Sequence, residues 1–223
     1  MPALFVSSIL TLIVFIVISA IISSVFNKDK KPLTEKYHTF WPRFWSPFID
    51  GMILYPITII VSIIYLNVEL TVIVYLLLSL IDHTAVYIYT IYYHGKYGHT
   101  IGKKVCNLKV VDNQTEAPIS YMQALKREIV PIILLVIALF SLSLNFESYF
   151  ALIDPTKMNE LQTGPMMVWT MVVGGVFLFW FLAEVLTMLT NDKRRALHDM
   201  IAGTVVVRTN LIGETEEPKL ETV

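Results

Sequence analysis

Long runs of apolar residues alternate along the chain with short stretches where the charged residues gather. A helix needs ~20 predominantly apolar residues to cross the hydrocarbon core of a bilayer. Phe5 to Phe26 carries no charge and is the clearest such run. It is too long for a signal-peptide core and no basic residue precedes it, so it reads as a retained anchor. Phe48 to Asn67 is a second span, with Asp50 near its start, and Glu69 to Tyr93 is a third that contains Asp82 and His83. Ile129 to Leu144 is the fourth; its shortness predicts that it begins inside the preceding segment. Met166 to Thr190 is the fifth, with Glu184 near its end.

Between these runs the pattern changes period. Lys104 to Asp112 (KVCNLKVVD) and Thr204 to Arg208 (TVVVR) are β-prone, and they are expected to pair as a ribbon at the membrane surface. Ser120 followed by Gln123 forms a capping box, which predicts a short helix from Tyr121 to Arg127 leading into the fourth span. The acidic tail after Asn210 reads as disordered. The expected fold class is therefore all-α: a polytopic transmembrane helix bundle of about five spans with a small cytoplasmic β-ribbon. Its expected divisions are an additional N-terminal helix (1–27), a four-span membrane domain (28–209) and the tail (210–223).

Composition supports a lipid-facing surface. Hydrophobic types make up 55% of the 223 residues and mean hydropathy is +0.63, while charged types make up 16%. A soluble domain would carry about a quarter charged residues. The lone Cys106 excludes an intrachain disulfide and reads as a buried free thiol. No HExxH, GxGD or GxSxG pattern suggests an enzyme, and no cofactor motif is present.

Charge placement sets the expected orientation. Of 17 lysines and arginines, all but Lys157 fall in three segments: Asn27 to Ser46, His94 to Glu128, and the stretch after Asn191. Five spans put all three on one face, whereas four or six would split them. The expected location is a bacterial inner membrane, with the N-terminus outside and the C-terminus cytoplasmic. Topogenic charge explains the basic segments without nucleic acid, so the bilayer is the expected partner.

Several polar residues lie where lipid would not favour them. Asp82 is midway along the third span, where a lone carboxylate costs ~3 kcal/mol or more. On helical spacing it shares a stripe with Tyr75, Ser79, Tyr89 and Tyr93, beside a second stripe with His83, Tyr87, Thr90 and His94. This side should face other spans or a water-filled cleft. Asp82 is then either an ion or proton site, with Asp50, His83, Tyr89 and Glu184 as further candidates, or an acid satisfied by tyrosine and serine hydroxyls. Asp50 reads either as an ion ligand or as an acid locked to a basic group. Glu184 reads most simply as a carboxylate reaching toward the cytoplasmic interface. No ligand spacing supports a metal site. Arg43 and Asp50 are seven residues apart, so on one helix they share a face at ~10 Å and cannot pair with each other. Pro47 leaves two alternatives: a kinked helix containing both, or a helix that Ser46 caps and Pro47 begins.

Three stretches together resemble the RDD family of bacterial membrane proteins. They are Arg43-x6-Asp50 at the start of a span, GHTIGKKVCNLKVVD (Gly98 to Asp112), and NDKRRALHDMIAGTVVV (Asn191 to Val207). The family is named for one arginine and two aspartates, which the resemblance places at Arg43, Asp50 and Asp199. Arg127 matches the basic position that ends the family's short pre-span helix. The resemblance covers about Trp41 to Arg208, and Phe5 to Phe26 lies outside it. It implies a transporter of an unidentified ligand, with some members associated with sodium–proton exchange and others resembling accessory subunits or assembly factors. Two functions stay open on this basis: a small cation–proton exchanger working through Asp82, as a homo-oligomer, and a non-catalytic scaffold or accessory subunit of a larger membrane complex.

Overall fold

The computed structural model describes residues 31–67, 71–144 and 165–212, together with Val17, Ala20, Ile21 and Ser24. The expected span Phe5 to Phe26 lies outside the described residues apart from those four positions, as does the tail beyond 212. Four helices among the described residues are long and apolar enough to cross a membrane. They are α1 (Phe40–Asn67), α2 (Val72–Tyr97), α4 (Tyr121–Leu144) and α5 (Pro165–Thr190). Two short helices, α3 (Ile101–Val105) between α2 and α4 and α6 (Leu197–Ala202) after α5, belong to a cap of loops and strands.

α1 is continuous through Pro47 and Pro56, so it holds both Arg43 and Asp50 and starts eight residues before the apolar run suggested. A proline inside a helix leaves the carbonyl four residues earlier without its usual donor. For Pro47 that carbonyl is Arg43's, and the Ser46 hydroxyl donates to it at 3.3 Å. Ser46 therefore mends the helix at the proline and does not cap a new one.

α4 also starts earlier than its apolar run, at Tyr121, and reads straight into the span through Pro131. The expected capping box begins it: Ser120 N–H donates to Gln123 Oε1 at 3.0 Å, and Gln123 N–H donates to Ser120 Oγ at 3.2 Å. Thr71 caps α2, and the left-handed Gly98 ends it, donating its N–H to the His94 carbonyl at 2.9 Å.

The cap is built from the three basic segments, which come together on one face. β2 (Leu108–Asp112) and β3 (Thr204–Arg208) form the expected antiparallel ribbon, with Val110 opposite Val206. Lys104 and Val105, expected at the start of the first strand, belong instead to α3. β1 (Lys31–Pro32) pairs in parallel with β4 (Leu211–Ile212). The tail is thus ordered two residues further than its composition suggested, because Leu211 and Ile212 find strand partners before the acidic residues begin. The ribbon is buried on both faces. Leu108, Val110 and Val206 pack with Ile49, Ile119 and Ala124 on one side; Val111, Val205 and Val207 pack against Tyr37 on the other. Cys106 is fully buried in the first of these clusters as a free thiol, and burial pushes its pKa up to about 12.

Candidate functional site

The residues singled out from sequence fall into three places. The first joins the cap to α1 and α4. Asp199, at the start of α6, is fully buried, and both its oxygens take charged partners. Oδ2 accepts from Arg43 Nη2 at 2.6 Å and from the Ala196 backbone at 3.0 Å; Oδ1 pairs with Arg127 Nη1. Thr204 Oγ1 accepts from Arg127 at 2.5 Å and lies 3.3 Å from the same carboxylate oxygen. Burial alone would raise the Asp199 pKa, but the Arg127 and Arg43 guanidiniums overcome it and hold the carboxyl well below the usual carboxylate range.

Glu184 reaches this cluster from α5. Its Oε1 accepts from the His198 backbone at 3.1 Å and its Oε2 lies 2.5 Å from His198 Nδ1. His198 Nε2 faces Arg127 Nη2 at 2.8 Å and Arg43 Nη2 at 3.4 Å. These partners fix the tautomer: Nδ1–H donates to Glu184 and the Nε2 lone pair accepts from the guanidiniums. Arg195 donates to the carbonyls of Thr204 and Asp199, closing the turn that carries α6. Four of the elements that enter the cap are thereby tied through one carboxylate.

The second place is the junction of α1, α2 and α3. Asp50 is buried and accepts three short hydrogen bonds: Tyr89 OH at 2.6 Å, Thr100 Oγ1 at 2.6 Å and Gly102 N–H at 2.7 Å. Thr100 is the N-cap of α3 and also accepts from Lys103 N–H at 3.3 Å. Asp50 therefore sits where the unpaired N–H groups of α3 converge. A side chain on Gly102 would place its Cβ 2.2 Å from the Ser46 carbonyl, so only glycine lets α3 approach α1 this closely. The glycine–threonine–glycine spacing in GHTIG thus has a physical basis: Gly98 turns the chain with φ +75°, Thr100 caps the helix and binds Asp50, and Gly102 permits contact. Beside it, loss of hydration lowers the Lys103 ammonium to about 8, with the Asp50 charge opposing the drop.

The third place is mid-membrane. Asp82 accepts from Thr58 Oγ1 of α1 at 2.9 Å, and the pair is exposed on one side. A threonine one helix away meets it, where a tyrosine and serine network of its own stripe was one expectation. His83 is exposed, and its Nδ1 lies 2.8 Å from the Ser79 carbonyl of its own helix, away from Asp82 and Asp50. Further along, Tyr65 OH and Ser79 Oγ are 3.0 Å apart, and Tyr65 stacks on Tyr75 at 5.0 Å. Asp50 with Tyr89, Asp82 with Thr58 and Ser79 with Tyr65 are therefore three polar rungs between α1 and α2. Asp50 and Tyr65 are fifteen residues apart on α1, about 22 Å of helix, against a hydrocarbon core of about 30 Å.

The five candidates for an ion or proton site do not converge on one pocket. Asp50 and Tyr89 meet directly, Asp82 lies in the same seam, Glu184 belongs to the Asp199 cluster, and His83 stands apart. Thr204, Thr100 and Gly102 were not singled out from sequence, yet each binds or admits a signature side chain. Their signal lay inside the two long motifs, which the sequence offered as strings without showing which carboxylate each residue would meet. Among the described residues no group of three His, Cys, Asp or Glu side chains is placed to hold a metal ion.

Compared with known proteins, the model of the RDD family matches residues 37–203. No curated protein and no solved structure matches the chain.

Proposed function

The chain belongs to the RDD family and is a multi-pass integral membrane protein; from that premise we propose that it moves protons, alone or in exchange for a monovalent cation, along the seam between α1 and α2. The observation that carries this reading is the ladder of polar rungs. It runs for about 22 Å along α1 and about 15 Å along α2, and its middle rung holds a carboxylate. Intramembrane acids are costly and tend to mark ion and proton paths. Asp82 has one hydroxyl partner among the described residues and is open on one side, so it can exchange a proton or a cation. Asp50 and Tyr89 continue the path to the basic face, which the positive-inside rule makes cytoplasmic. In this reading the protein sits in a bacterial inner membrane with its C-terminus in the cytoplasm, and it is not an enzyme. The test is pH-driven cation flux in proteoliposomes. Asp82→Asn should abolish the coupled flux, and equal flux in variant and wild type would remove Asp82 from the mechanism.

A second reading has its own support. Arg43, Asp50, Arg127 and Asp199 are all engaged in tying the cap to the spans, which suits a scaffold or accessory subunit better than a conduit. Gentle purification from native membranes distinguishes the two. A stoichiometric partner would favour the scaffold, and recovery of this chain alone would count against it.

A further inference from the structure

A cleft of about 410 Å³ opens between the start of α1 and the end of α5, beside the Asp199 cluster but lined by none of its charged side chains. Its size falls within the ~300–1,000 Å³ usual for small-molecule sites. The lining is mixed in character. Phe40, Trp41, Pro42 and Leu189 form its apolar part; Glu35, His38, Arg194 and Arg208 form its polar part. Phe40 opens one membrane-spanning stretch, and Thr190, next to Leu189, closes another. The apolar part therefore belongs to the ends of two membrane-spanning stretches and the polar part to segments outside them, as expected where acyl chains give way to headgroups. Trp41 is 62% exposed there, as aromatic residues at headgroup level commonly are.

Arg194 is the unusual member. Its backbone is left-handed, with φ +49°, a conformation that a residue with a Cβ adopts at a cost and glycine adopts freely. Its main chain does nothing that needs arginine: the N–H donates to the Asn191 carbonyl and the carbonyl accepts from Arg43 Nη1, each at 3.0 Å. What glycine could not supply is the guanidinium, which donates one bond to the Leu189 carbonyl at 3.0 Å. Arg194 also lines an adjoining hollow of about 270 Å³ with His38, Thr190 and Asp192. Arg208 lines the same cleft, anchored by Nε to the His38 carbonyl at 2.8 Å. Acidic groups are present as well: Asp192 in the hollow, and Glu35 close enough to Arg208 for their charges to interact.

We propose that this cleft binds phosphatidylethanolamine, with the phosphate on Arg194 and Arg208 and the headgroup ammonium toward Glu35 and Asp192. Two arginines and two acids around the cleft and its adjoining hollow match a zwitterionic headgroup. A purely anionic one would leave the acids repelling it. The inference stands apart from the transport reading, because it uses neither the seam nor Asp82.

Native mass spectrometry of the detergent-purified full chain tests it, with phosphatidylethanolamine, phosphatidylglycerol and inorganic phosphate as probes. Arg194→Gly removes the guanidinium while relieving the backbone. Its thermal midpoint should hold or rise, and phosphatidylethanolamine retention should fall about tenfold, the scale of a lost charge-assisted hydrogen bond. Glu35→Gln should weaken phosphatidylethanolamine and strengthen phosphatidylglycerol, whose headgroup the acid would repel. The proposal fails if Arg194→Gly keeps the lipid and melts lower, since the guanidinium would then serve only to cap α5. It fails equally if millimolar inorganic phosphate displaces the lipid, or if phosphatidylglycerol binds more tightly than phosphatidylethanolamine.

Discussion

Asp199 in the cap and Asp82 in the seam are both carboxylates where water is scarce, and the fold treats them differently. Asp199 is wholly buried and held by two arginines, a backbone N–H and a threonine. Asp82 is half-buried and held by one threonine. A carboxylate paired on both oxygens has little left to exchange, so its work is to hold its partners in place. A carboxylate with one neutral partner keeps acceptor capacity for a proton or a cation. Asp50 stands between them: its three donors are neutral, and they join helices where Asp199 joins charges. The contrast separates the carboxylates that hold elements together from the one that the proposed transport would use.

The largest expected effect tests the cap. Asp199→Asn leaves Arg43 and Arg127 buried without their counter-charge, which should cost about 3–5 kcal/mol and lower the thermal midpoint sharply in detergent. The same residue predicts a pH dependence. Its folded pKa is depressed, so its contribution is fully present above the ordinary carboxylate value of about 3.9 and is lost as pH falls through the lower folded value. The gap in thermal midpoint between wild type and Asp199→Asn should therefore be constant from neutral pH down to about 4 and close below it.

Asp50→Asn should cost about 1.5–3 kcal/mol, the range for a hydrogen bond to a charged group, because one oxygen that accepts becomes an amide that must donate. Gly102→Ala should cost about 1–3 kcal/mol through overpacking, since its Cβ would meet both the Ser46 carbonyl and the Asp50 carboxylate. Thermal melts of the two single variants and the double variant should show coupling, as both loosen the same contact between α3 and α1. Thr58→Val should cost only about 0.6 kcal/mol, the average for an interhelical hydrogen bond in a membrane, and Asp82→Asn should be equally mild. If either seam variant destabilised the protein as much as Asp199→Asn, the distinction between a carboxylate that holds elements together and the one that the proposed transport would use would be lost.

Much of the architecture was legible beforehand. Apolar run length located the four described spans, and alternating valines located the ribbon, because lipid exposure and strand pleating each impose a period on the sequence. Helix starts were less legible. α1 begins in an aromatic stretch interrupted by Pro42 and Arg43, and α4 in a mixed stretch that carries Lys126 and Arg127, and hydropathy has no reason to mark where a helix continues beyond its most apolar run. Pro47 was ambiguous for the same reason: whether it breaks a helix depends on whether a neighbour satisfies the Arg43 carbonyl, and Ser46 does so only in the folded geometry.

The sequence by itself determined that this chain lives in a membrane, that its basic segments share a face, and that Arg43 and Asp50 on one helix cannot pair. These follow from composition and from the fixed rise of a helix. Only the tertiary structure decided the partners. Arg43 meets Asp199 across 156 residues, and Asp50 meets Gly102 across 52. Such pairings follow from how helices and ribbon pack in three dimensions, and a one-dimensional string of residues carries the participants without the distances between them.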